Sequence, residues 1–375
     1  MANHAQTGKS SSGWLALLKQ ESVWISVLSI IIGLIIGAVV MLAGGYDPLL
    51  AYESLLLKLF GSKYDVGEAL GVIVPLIMTG LAVAIAFRSG MFNIGVEGQI
   101  VMGSIGAIVV GHFVNLPPVL HGIVSLLAGT VLGGLWGMLV AWLKTSRGIN
   151  EVITCIMLNW TALYLSHIVI RTLMEEPGAG RSKMIQDSAS ISLDRLTAWM
   201  DGARVHWGFA IAMIAVIGYY FFINKTKWGY EMRAVGSNKH AAHYAGISVK
   251  KTTLRAFFIS GMLGGMVGTF EVLGVFKYLA IAPATSGLGF DGIAVALLGM
   301  NTALGVLLAA ILFGALMYGA QGMSFGADVP GEVIRMVISI IIFFAAAPGI
   351  LRLVLKRWPR KRQEVSADGS NGVSA

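Results

Sequence analysis

Val66–Phe87 reads VGEALGVIVPLIMTGLAVAIAF, and after Glu68 it carries no charged side chain. About 20 apolar residues are what an α-helix needs to cross the ~30 Å hydrocarbon core of a bilayer. Runs of this kind recur from Ser22 to Leu355. Lipid cannot satisfy exposed backbone polar groups, so such runs form helices, and the weak alternation of a transmembrane barrel is absent. The chain therefore reads as an all-α polytopic membrane protein with about ten transmembrane helices. The spans are Ser22–Gly44, Val66–Phe87, Ile94–Gly111, Val119–Leu143, Asn150–Leu173, His206–Ile223, Leu254–Phe276, Pro283–Met300, Thr302–Met323 and Glu332–Leu353. The Pro283 run departs most from the pattern, being short, Gly-rich and charged at Asp291. Tyr46–Lys63 is expected as an interfacial helix. Residues 175–205 form the longest external loop, with a short helix around Leu193–Met200.

Composition agrees. Of 375 residues 56% are apolar and only 12% charged, with a mean hydropathy of +0.77, outside the range of ordinary soluble domains. The single cysteine, Cys155, lies inside an apolar run, where it packs as a small hydrophobe. Val23–Ala43 is too long for a signal-peptide core and is followed by AGGYDPLL, so it reads as a retained first helix. The polar residues 1–21 and 356–375 read as tails, and 22–355 as the transmembrane domain.

The net charge of +8 fits topology better than nucleic-acid binding, because the basic residues sit at the ends of apolar runs. Lys9, Lys19, Arg88, Lys144, Arg147, the cluster from Lys225 to Arg255 and the tail Arg352–Arg362 all fall on one side. Cytoplasmic loops carry such an excess, which places both termini and loop 226–248 in the cytoplasm. The 175–205 loop mixes both charge signs, as an external loop does.

Gly33/Gly37, Gly129/Gly133/Gly137, Gly261/Gly265 and Gly264/Gly268 repeat at four-residue spacing, which lets helix backbones approach closely in lipid. Gly80–Gln99 and Gly292–Gly314 each join a Gly-rich apolar helix to a short polar break, a hint of two related halves forming a pseudo-repeat.

Soluble-enzyme signatures are missing. Gly8-Lys9-Ser10 ends like a phosphate loop, but Asn3 stands where its first glycine belongs and no strand precedes it. No histidine pair has the HExxH spacing of a catalytic zinc site. The polar groups inside apolar runs are more informative, since a charge at the bilayer centre costs about 2.5–3.5 kcal/mol even on insertion scales. The first set is Arg88-Ser-Gly-Met-Phe-Asn-Ile-Gly-Val-Glu-Gly-Gln99, where Phe92, Asn93, Glu97 and Gln99 sit in a break between two runs. Such a break either exposes backbone dipoles to a pathway or is a turn held by its own hydrogen bonds. In the second set Asn150 caps a helix, Glu151 suits its positive end, and Asn159 lies two turns deeper, on a pathway or in an interhelical hydrogen bond. The third set is Glu271, expected to pair with Lys277, and Asp291 beside Phe290 in GLGFDGIAVALLG. Glu332 and Arg335, three apart, are expected to pair.

Loop 226–248, TKWGYEMRAVGSNKHAAHYAGIS, carries more than topological charge. Ala241, Ala242 and Gly246 give a small-residue helix face with a glycine stop, ringed by Lys and Arg, which suits docking against an acidic partner surface.

Four stretches together resemble the permease family serving ribose-type, branched-chain amino-acid and nucleoside ABC importers, most of all its nucleoside and simple-sugar branch. They are AFRSGMFNIGVEGQ (86–99), NEVI (150–153) with MLN (157–159), RAVG (233–236) through AGI (245–247), and GFDGIAVALLG (289–299). The likeness spans Val66–Leu353. It implies a bacterial inner-membrane subunit that pairs with a second homologous permease, a two-cassette ATP-binding protein and an external substrate-binding lipoprotein. ATP and Mg are then expected on the partner ATPase, with no cofactor bound by this chain, and the small-molecule substrate is a nucleoside or simple sugar moved by alternating access. Coupling to the ATPase would fall to Gly229, Arg233, Gly236, Asn238, Ala241, Ala242 and Gly246, although His240 stands where the family often has an acidic residue. The candidate translocation pathway is Phe92, Asn93, Glu97, Gln99, Asn159, Phe290 and Asp291. An ion-coupled secondary transporter is the alternative, since broken helices with intramembrane acids suit it too.

Overall fold

The structure is a computed structural model and describes residues 21–346; the two tails and the end of the last expected span lie outside them. Helices α1 (Glu21–Ala43), α2 (Pro48–Phe60), α3 (Lys63–Arg88), α4 (Val96–Phe113), α5 (Leu120–Arg147) and α6 (Glu151–Val169) come first. A π turn (Ile170–Met174) and a two-residue hairpin, β1 (Glu175–Glu176) with β2 (Arg181–Ser182), lead to the short α7 (Asp194–Trp199). Then follow α8 (Gly208–Lys225), α9 (Lys227–Ser237), α10 (Lys239–Tyr244), α11 (Val249–Phe270) with a π turn at Glu271–Phe276, α12 (Leu288–Leu298), α13 (Ala303–Gly326) and α14 (Gly331–Ala346).

By length and apolarity seven helices qualify to cross a membrane: α3, α4, α5, α6 with its π turn, α8, α11 with its π turn, and α13. Local chemistry sets many helix ends. Ser62 Oγ accepts from Asp65 N at 3.0 Å to start α3, Asn150 Oδ1 accepts from Val152 N at 2.8 Å to start α6, and Gly148, at φ 69°, ends α5.

The middle of the molecule is a three-helix crossing of α4, α5 and α11 built on glycine. A Cβ on Gly133 would lie 2.6 Å from Gly265 Cα, and one on Gly103 would lie 2.6 Å from the same atom. The four-residue stripes are thus seams where backbones touch, as small-residue spacing demands in lipid. Helix α3 runs alongside, with Leu76, Met78, Leu81, Ala82 and Val83 fully buried. At the flank, α14 packs on α1, where a Cβ on Gly33 would sit 2.8 Å from Ile341 Cα.

One expected span takes a different form. Pro283–Met300 holds only the 11-residue α12, which at 1.5 Å per residue covers roughly 16 Å, about half a bilayer core. The approach to it is non-helical. Leu279 O accepts from Ser182 N at 2.8 Å at the hairpin end, while Asn301 O accepts from Tyr219 Oη at 2.7 Å and Arg88 Nε at 3.1 Å at the other end. This expected span is part non-helical strap and part helix. Gly287, at φ 85°, turns the strap into the helix, a conformation that a side chain with a Cβ adopts only at a cost.

Candidate functional site

The strap meets the break between α3 and α4 deep in the protein. Glu97, in the first turn of α4, is 1% exposed, and its Oε1 accepts from Gly289 N at 2.6 Å; Ser286 Oγ lies 3.5 Å from Oε2. One carboxylate therefore joins the N-terminal ends of α4 and α12, where orphan N–H groups and the helix dipoles both favour negative charge. The fit is close, since a Cβ on Gly289 would lie 2.8 Å from Glu97 N.

Amides hold the rest of the break. Asn93 Oδ1 accepts from Gly95 N at 2.9 Å, and its Nδ2 donates to Ser260 Oγ at 2.8 Å; Ser260 Oγ in turn donates to Ala82 O at 2.6 Å. Gln99 exchanges hydrogen bonds of 3.3 Å with Asn93. Asn159 Oδ1 accepts from Gly98 N at 2.8 Å and its Nδ2 donates to Ile94 O at 3.0 Å. Asn93 and Asn159 thus satisfy backbone groups of the buried turn, and Gln99 holds the Asn93 amide in place. Buried Cys155 packs against the same turn, its Sγ 3.7 Å from Asn93 Oδ1.

The other expected pathway residues lie apart from this cluster. Phe92 packs on Phe87 with ring centroids 5.3 Å apart. Phe290 is half-exposed on α12, with Asp291 beside it, partly buried. None of the seven lines the cavity of about 320 Å³ that lies one turn along α4 from Glu97. Ile100, Ser104, Ser166, Glu271, Tyr278 and Ser286 contribute to that cavity, and Glu271 also lines a neighbouring one of about 160 Å³ with Glu68, Arg204 and His206.

Two expected ion pairs are absent. Lys277, at φ 61°, points away from Glu271 and reaches Asp187 at 3.7 Å, because the π turn and the left-handed residue after it reverse the side-chain direction of a regular helix. Glu332 and Arg335 are both exposed and lie beyond 4 Å of one another. Glu151, beyond suiting its helix end, pairs with Lys144. The cavity position of Glu271 had one sequence signal, an acid inside an apolar run, which the neighbouring lysine obscured.

Loop 226–248 folds into the helical pair α9 and α10. A Cβ on Gly229 would strike the carbonyl of Phe222, and one on Gly236 the carbonyl of Arg88, so both glycines allow close approach. Asn238 Oδ1 caps α10 through His240 N at 2.9 Å and Ala241 N at 3.0 Å. Gly246, at φ 81°, ends it in a Schellman motif, with Gly246 N bonded to His243 O and Ile247 N to Ala242 O, each at 3.0 Å. Ala242 is buried inward and Ala241 faces out, next to Tyr244, which is 91% exposed and was not anticipated. Arg233 Nε is buried without a hydrogen-bond partner among the described residues. Arg255 braces the pair, bonding Glu231 at 3.2 Å and stacking over Trp228 at 4.8 Å. Because Gly236 abuts Arg88 and Gly90, this pair touches the same break that Glu97 closes.

The guanosine ABC transporter permease protein NupP of Bacillus subtilis is 43% identical over 337 residues, 90% of this chain and 97% of the relative. The nucleoside ABC transporter permease protein NupB of Lactococcus lactis is 34% identical over 345 residues, 90% and 94% of the two chains. The glucose ABC transporter permease protein TsgB13 of Haloferax volcanii is 31% identical over 355 residues, 92% and 93%. Residues 66–346 match the family model described as branched-chain amino acid transport system / permease component, and the chain belongs to that family of membrane permeases.

Proposed function

We propose that this chain is the membrane subunit of an ABC importer that moves nucleosides into a bacterial cell. The observation that carries this reading is a mid-protein break closed by Glu97 beneath a 320 Å³ cavity, in a chain 43% identical along 90% of its length to a guanosine permease. Cavities that hold small organic ligands begin at about 300 Å³, a size suited to a nucleoside or simple sugar. Counting α1, α14 and the composite crossing gives ten passages of the inner membrane, with both termini and the basic α9–α10 pair on the cytoplasmic side. The turns at 88–96 and 299–302 touch through Arg88 and Asn301, and in this reading they belong to two related halves.

In this reading Ala241 and Tyr244 dock on a two-cassette ATPase that binds ATP and Mg, while Gly229, Gly236, Asn238 and Gly246 shape the docking helix. Arg233 and the inward-facing Ala242 hold it against the body of the protein. Movement of α9 is passed at Gly236 to the break, where Asn93, Gln99 and Asn159 keep its shape and Glu97 holds or releases α12. Phe92 lies at the inner mouth. Phe290 is exposed on α12 with the partly buried Asp291 beside it; an acid there is costly in lipid and suits contact with a second permease subunit. A binding lipoprotein delivers substrate at the 175–205 end. Affinity purification of the chain from its native membrane, with mass spectrometry of bound proteins, tests this: an ATPase and a related permease are expected. A chain recovered alone and active under an ion gradient would be a secondary carrier instead.

A further inference from the structure

Glu271 is the acid that the account so far leaves without a task. It opens the π turn at the end of α11, a helix form found mostly as a single turn and frequently at functional sites. The turn places its carboxylate between the 320 Å³ and 160 Å³ cavities, lining both. Among the described residues no hydrogen-bond donor or cation reaches that carboxylate, and Lys277 is engaged by Asp187. By contrast Glu68, on the far side of the smaller cavity, is taken by Arg204, with Arg204 N at 2.9 Å and Nε at 3.2 Å. An ionisable group at membrane depth with no partner of its own marks a functional position, and a carboxylate can only accept hydrogen bonds when ionised.

The walls say which donors suit it. The larger cavity is mostly apolar, with Leu163, Val272 and Phe276 among its lining residues, while Ser104 and Ser166 add hydroxyls. No Lys or Arg lines it, so an anionic phosphate would meet Glu271 with nothing to offset the repulsion. The 277–287 strap covers the chamber and is tied down by Ser182 N to Leu279 O at 2.8 Å and His167 Nε2 to Ala282 O at 2.9 Å. Ser286, at its far side, touches the Glu97 closure.

Resting on the nucleoside reading above, we propose that Glu271 is a specificity-determining residue of a transit chamber, accepting hydrogen bonds from the ribose 2′- and 3′-hydroxyls while the base lies on the apolar wall. The chamber thereby admits uncharged nucleosides and rejects nucleotides. The test is ATP-driven uptake by the complete reconstituted importer, comparing guanosine with 2′,3′-dideoxyguanosine for wild type, Glu271→Gln and Glu271→Ala. The binding protein is common to all three, so a change in preference belongs to this chain. Glu271→Ala is expected to lower guanosine kcat/KM tenfold or more and that of the dideoxy compound less than twofold, with Glu271→Gln between. Both variants should still assemble with the partner subunits, read as co-elution on gel filtration. Equal loss for both substrates in the Gln and Ala variants would make Glu271 structural and overturn the proposal, as would no loss for either. Absence of guanosine uptake by the wild-type importer would overturn the nucleoside reading itself, and this site with it.

Discussion

Glu97→Ala removes the acceptor that joins α4 to α12. The structure gives it one short bond, 2.6 Å from Gly289 N, and a longer contact of 3.5 Å with Ser286 Oγ, in a site 1% exposed. Hydrogen bonds to a charged group contribute about 1.5–3 kcal/mol. At about 1.4 kcal/mol per tenfold, local opening of the first turn of α12 becomes roughly 10- to 150-fold more frequent. Hydrogen–deuterium exchange on the purified protein in nanodiscs reads this directly from peptides covering 285–293. Exchange there should accelerate by that factor in Glu97→Ala and by less in Glu97→Gln, which keeps an acceptor oxygen. Peptides covering α7 (Asp194–Trp199), which takes no part in the route from α9 to the break, serve as the control and should not change. Wild-type protection at 285–293 in the alanine variant would refute the claim that Glu97 holds the half-helix.

The helix ends of α10 supply a second prediction: Asn238→Ala and Gly246→Ala each cost about 1 kcal/mol, one through the lost cap and one through the left-handed backbone. A six-residue helix has little stability to spare, so substrate moved per ATP hydrolysed by the reconstituted importer should fall roughly fivefold in each. Unchanged stoichiometry would remove α10 from coupling. Gly133→Leu should lower the melting temperature sharply or prevent a monodisperse protein, since its side chain enters a backbone seam; a wild-type melting curve by fluorescence-detected gel filtration would contradict the crossing. Arg204→Ala should cost about 1–3 kcal/mol, because it strips the guanidinium from Glu68, whose side chain is only 10% exposed, and leave uptake intact. Complete loss of uptake there would show that Arg204 meets substrate or the binding protein.

What could be read from the sequence follows how local each interaction is. Asn150, Asn238 and Gly246 declare helix ends through side chains and φ angles that act within a few residues, and they do so in the structure. The glycine stripes declared close helix contact, though not that α4, α5 and α11 would share it. Nine of the ten expected runs are helical where described, because hydropathy over about 20 residues is a strong signal. Pro283–Met300 shows the limit of that signal: hydropathy cannot tell a full-length helix from a non-helical strap that leads into a half-length one. Glu97 was legible as an unusual acid but not as a cap for α12, since its partner is 192 residues away. Glu271 was misread because spacing assumes a regular helix, and the π turn breaks that assumption.

The most direct measurement of the central claim is guanosine uptake into proteoliposomes holding this chain, its partner permease and their ATPase, with the binding protein added outside. Accumulation should require ATP, the binding protein and this chain together, and should stop when α10 is disrupted. Uptake by this chain alone, driven by an ion gradient and indifferent to ATP, would contradict it.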